Sequence, residues 1–146
     1  MIPTYSDLVT DLAAYLAGQQ VGVWSADGIY PAGVVMPIYV GILPDEAATG
    51  IGLQVYSDDR QRDDVTPDIR VQVRIRGDAD PRPTGIGPAT ADRIFILLHD
   101  RSNYDLDNAT RVLLSRRHLR APEERDETGR WTRADSYTFT LNPGGS

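Results

Sequence analysis

The stretch Ile69-Arg70-Val71-Gln72-Val73-Arg74-Ile75-Arg76 alternates without a break. In an extended chain Ile69, Val71, Val73 and Ile75 point to one side, and Arg70, Gln72, Arg74 and Arg76 to the other. A period of two with one wholly apolar side predicts a half-buried antiparallel strand. Its polar side, lined with guanidinium groups, is suited to carboxylates or phosphates on neighbouring loops or on another chain. The same side could equally be ordinary surface, where ion pairs contribute little stability.

The flanking sequence supplies the rest of a sheet and two helices. Residues 6–18 read as a helix, with Ser6 as N-cap, Asp7 complementing the dipole, and Leu8, Val9, Leu12, Tyr15 and Leu16 at helical spacing up to Gly18. Residues 21–24 are a short extended piece, and Asp27-Gly28, Pro31, Gly33 and Pro37 then prevent any long regular element. Residues 38–43 and 51–56 are rich in β-formers, and the short link between them predicts an antiparallel pair. Residues 57–67 hold Asp58, Asp59, Asp63 and Asp64 interleaved with Arg60 and Arg62, and read as an exposed loop. After a connector at 77–87, Pro88 opens a helix to about Asp100. Its run Ile94-Phe95-Ile96-Leu97-Leu98 predicts a central helix packed on both sides. A polar turn at 102–108 leads to a strand at 110–119. A charged hairpin loop at 123–129 precedes the last strand, 130–142, in which Trp131, Tyr137, Phe139 and Leu141 share a face opposite Thr132, Ser136, Thr138 and Thr140. Residues 143–146 read as a flexible tail. The order predicts one α+β domain over 1–146: an antiparallel sheet of about four to six strands with two helices packed on one face.

Composition narrows the chemistry. The 146 residues contain no cysteine, which removes disulfides, thiolate nucleophiles and cysteine-based zinc sites. All fifteen basic residues are arginine, and the formal net charge of −6 works against non-specific nucleic-acid binding. No segment reads as a leader or a membrane span, so a soluble chain made inside the cell is expected. The four aspartates at 58–64 match no calcium loop, and the arginines between them compete for the same carboxylates. His99 and Asp100 stand together without a nucleophile elbow, and His99 is better read as a helix C-terminal residue. Arg116, Arg117 and Arg120 form a basic cluster expected to pair with Glu123, Glu124 and Asp126. No metal or other cofactor is expected.

Several short strings occur in a telling order: Tyr15-Leu16-Ala17 near the end of the first helix, Ile38-Tyr39-Val40-Gly41-Ile42-Leu43-Pro44, Leu53-Gln54-Val55-Tyr56, Val71-Gln72-Val73-Arg74-Ile75-Arg76-Gly77 before the second helix, Gly129-Arg130-Trp131, and Tyr137-Thr138-Phe139. Over nearly the whole chain this order resembles the small tail-terminator proteins of long-tailed bacteriophages, also labelled minor capsid proteins. The resemblance implies a structural protein with no catalytic residues. It implies a homohexameric ring that caps the finished tail tube, ends its polymerisation and joins it to the head. The partners it implies are other copies of the chain, the tail-tube protein and the head connector or stopper protein, with DNA passing through the lumen and no membrane. The implied location is the tail or neck of the virion, after synthesis in the host cytoplasm. In such a ring Arg70, Arg74 and Arg76 are expected to meet a neighbour or the tube, while Asp58, Asp59, Asp63 and Asp64 project toward a partner. Two other readings stay open: a head-completion or connector protein of the same particle, and a small hydrolase or ligand-binding domain using the Asp-rich loop and His99.

Overall fold

The computed structural model describes residues 2–107 and 110–142; the tail expected at 143–146 lies outside them. Among the described residues two helices, α1 (Tyr5–Gly18) and α2 (Ile86–Leu98), accompany seven strands. These are β1 (Ile38–Val40), β2 (Gly50–Asp59), β3 (Asp68–Arg76), β4 (Arg101–Asp105), β5 (Arg111–Arg120), β6 (Glu124–Arg125) and β7 (Trp131–Asn142). They form one sheet in the order β1-β2-β3-β7-β5-β4, with β6 paired to β7. The class is α+β, as expected, with more strands than the four to six anticipated.

The alternating stretch is the interior strand β3, paired antiparallel with both β2 and β7. Ile69, Val71, Val73 and Ile75 are buried to 1% exposure or less and share one apolar cluster with residues of both helices. Leu8, Leu12 and Leu16 of α1, Ile94 and Leu98 of α2, and Tyr137, Phe139 and Leu141 of β7 belong to the same cluster. Helix α1 begins one residue before the expected Ser6, because Thr4 is the cap: its hydroxyl accepts from the Asp7 amide at 3.2 Å.

Four expectations need correcting. Strands β1 and β2 pair in parallel, Ile38 opposite Ile51. After Val40 the chain turns at Gly41 (φ +101), and residues 41–49 return across the sheet instead of forming a hairpin. Leu43 lies over Gly52, where a Cβ would come within 3.1 Å of it. Residues 57–59 belong to β2, not to the loop, because they pair with Arg70, Ile69 and Asp68. Residues 102–105, expected as a turn, form most of the edge strand β4, whose one well-buried side chain is Tyr104. Helix α2 starts at Ile86 and is covered on one side only, since Ile96 is 78% exposed.

At Gly87 an added Cβ would lie 2.4 Å from Trp131 Cε3, and Trp131 is itself 2% exposed. Gly87→Ala should therefore destabilise the protein by about 1–3 kcal/mol in urea unfolding, through overpacking. Gly18→Ala, where a Cβ meets nothing within 4 Å, should be neutral or stabilising by up to about 1 kcal/mol.

Candidate interaction surface

Because the odd-numbered residues of β3 face the core, the even-numbered ones form the outer face of the sheet. These residues have different fates. Arg76 is 7% exposed and donates from one guanidinium nitrogen to the carbonyls of Pro44 at 2.7 Å and Ala47 at 2.9 Å. Its other nitrogens approach Asp126 at 3.8 Å and Asp45 at 3.9 Å. Arg130 donates to the carbonyls of Asp45 and Ala47, both at 3.0 Å. The two arginines clamp the 41–49 connection onto the outer face, which is how Arg76, expected at an interface, comes to be buried within its own chain.

Asp126 is the anchor of this clamp. Partial desolvation works against its charge, but hydrogen bonds from the backbone and guanidinium of Arg130 and from Thr128 hold its carboxyl far below the usual carboxylate range. It stays ionised beneath the two arginines.

The acidic loop is also largely satisfied from within. Arg60 makes a two-pronged contact with Asp58, at 3.0 and 3.3 Å, and reaches the carbonyls of Asp64 and Pro3. Asp59 accepts from the Gln61 amide, and Asp63 accepts from Val65 and Thr66. Of the four aspartates expected to project toward a partner, only Asp64 has an uncommitted carboxylate. Its main-chain carbonyl accepts from Arg60, and its carboxylate is exposed.

Among the described residues, Arg70 and Arg74 stand apart from the other thirteen arginines. Twelve of those grip a carboxylate or a main-chain carbonyl of their own chain, and Arg101 is held by the Tyr15 hydroxyl and lies over the Tyr104 ring. Arg70 is exposed without a hydrogen bond or ion pair, and Arg74 has one long contact, 3.5 Å to the Thr132 hydroxyl. Beside Arg70, the exposed His118 ring lies between the Tyr56 hydroxyl at 2.9 Å and the Thr138 hydroxyl at 3.0 Å.

The basic cluster pairs differently from expectation. Arg116 pairs with Asp100 and Arg117 with Asp135, and only Arg120 meets Glu123. Asp135 and Arg133 form a two-pronged ion pair, 2.9 Å at each prong, at 1% and 3% exposure. They occupy the core face of β7 between Trp131 and Tyr137, and sequence reading overlooked them although their odd numbers place them there. Such a pair, once desolvated, adds little net stability, yet removing one partner would strand a buried charge. His99 is the C-cap of α2; it stacks on Phe95 and accepts from the Arg117 amide. Among the described residues its ring partners are Phe95, the Arg117 amide and Asp100, none of them in the Asp-rich loop. Among the described residues no three His, Asp or Glu side chains are grouped to hold a metal, and no helix is long and apolar enough to cross a membrane.

The sequence model of one protein family, described as Bacteriophage tail terminator protein, matches residues 15–143. No curated protein matched the chain.

Desolvation first, and then the charge of Arg70, hold His118 below its usual value of 6.5. A histidine whose folded value is lowered binds protons more readily when unfolded, so stability should fall as pH drops through 6.5 toward the folded value. Arg70→Gln should move the His118 titration upward, followed by NMR of the ring protons; an unchanged value contradicts the proximity of the two charges.

Proposed function

The chain belongs to the bacteriophage tail terminator family, a structural component of the virion, and we propose on that footing that its copies close into a homohexameric ring on the end of the tail tube. The ring ends tube polymerisation and presents its far side to the head connector. The observation that carries the self-assembly part is that Arg70 and Arg74, on the part of the outer sheet face beyond the 41–49 connection, meet no carboxylate or main-chain carbonyl of their own chain, Arg74 making only one long contact to Thr132, whereas the other arginines are all engaged. A guanidinium finds its best acceptors in carboxylates, and the chain carries 21 acidic residues against 15 arginines.

The sheet edges favour association through side chains over strand addition. Strand β1 is only three residues long, and β4 is interrupted by Asn103 at φ +53. Short and distorted edges resist pairing with another sheet. A contact between unlike patches, repeated around an axis, closes a ring when the rotation closes. Six copies at −6 each carry −36, which keeps phosphates from adhering to a lumen through which DNA passes. A head-connector role in the same particle remains the rival reading, and it differs in which partner the ring meets.

Mixing the purified chain with tail-tube protein tests both. A terminator caps tubes at one end in electron micrographs and gives six protomer masses by light scattering, whereas a connector ignores the tube and binds the portal side. The double reversal Arg70→Glu/Arg74→Glu should leave a folded monomer that caps nothing. Unchanged assembly of that variant contradicts the role given to this face.

A further inference from the structure

Arg74 stands in a pocket on the outer face of the sheet. The residues directly opposite it are Gly52 on β2 and Ala134 on β7. With almost no side chain on either flank, Arg74 opens into a pocket of about 230 Å³ walled by Ile42 and Leu43 of the returning connection. Gln54 and Gln72, a cross-strand pair, stand at the same pocket, and neither side-chain amide has a partner among the described residues. A guanidinium flanked by two amide donors is a matched set for the two oxygens of a carboxylate. The one acid lining the pocket, Asp45, has a fully exposed side chain 3.9 Å from Arg76, so it is solvent-screened and offset by that arginine.

We infer that the occupant is the Asp64 carboxylate of a second copy of this chain. Among the aspartates of its loop Asp64 alone is uncommitted, and hydrogen bonds of Arg60 to its carbonyl and of the Val65 and Thr66 amides to Asp63 shape the turn that carries it. It cannot reach its own Arg74. The loop precedes Asp68, and six residues of extended strand, roughly 20 Å, separate Asp68 from Arg74. Opposite charges toward the two ends of one strand allow either a reciprocal two-fold pair or a head-to-tail contact used once per interface, and the ring reading takes the second. This deepens the ring reading above and rests on it.

Charge exchange is the test. Asp64→Arg and Arg74→Asp should each weaken assembly by at least about tenfold, measured as the concentration for half-association by sedimentation and light scattering, and the double exchange should recover most of that loss. Arg74→Gln, which introduces no repulsion, should weaken assembly to a smaller degree; circular dichroism verifies that every variant is folded. Assembly of Asp64→Arg at the wild-type concentration, or a double exchange no better than the single variants, overturns the assignment while leaving the ring intact. A wild-type chain that stays monomeric at every concentration, with and without tail-tube protein, overturns the ring reading and this pairing with it.

Discussion

The strict alternation of β3 is the constraint on which the remaining structure depends. Four apolar side chains at 1% exposure or less seal the centre of the core between two antiparallel neighbours. A slip of one residue would drive four polar side chains inward, three of them charged, so the register is fixed by a large desolvation cost. The outer face inherits its arginines from that register. Core formation and the display of Arg70 and Arg74 are two sides of one strand.

What the outer face then does is decided by the 41–49 connection. By crossing the sheet instead of closing a hairpin it covers the Arg76 end, and Arg76 and Arg130 hold it there through main-chain carbonyls. The same crossing places Ile42 and Leu43 as walls beside Arg74, over the bare flank at Gly52. One segment therefore removes one arginine from the surface and builds a pocket for another. Asp126, ionised under both clamp arginines, links this arrangement to the turn that precedes β7.

Periodicity revealed the elements with strong patterns: α1, β3, and the apolar face of β7. It failed where the deciding contacts are distant in sequence. The connection that lets β1 pair in parallel with β2 is gripped by guanidiniums 29 to 85 residues away in sequence. Local turn statistics carry no trace of that. Strand β4 was hidden because an edge strand that buries only Tyr104 looks polar throughout. Among the candidate site residues, the alternation correctly separated Arg70 and Arg74 from the core. It could not show that Arg76, on the same face, would be consumed by its own chain, or that Arg60 and the local turns would occupy Asp58, Asp59 and Asp63. Ion-pair partners are a property of packing: the short-range charge pattern anticipated Arg60 on a neighbouring aspartate, but within the 116–126 cluster it named only Arg120 with Glu123 correctly. The family-level resemblance, carried by the order of short strings along the chain, agrees with the match over residues 15–143.

The central claim is that one face of β3 builds the protomer and the other joins protomers. Arginine-selective chemical labelling, read residue by residue by mass spectrometry before and after assembly, addresses it most directly. The account predicts that Arg70 and Arg74 react in the isolated protomer and are protected in the assembled state, while Arg76 stays protected in both. Equal labelling of Arg70 and Arg74 in the two states would contradict it.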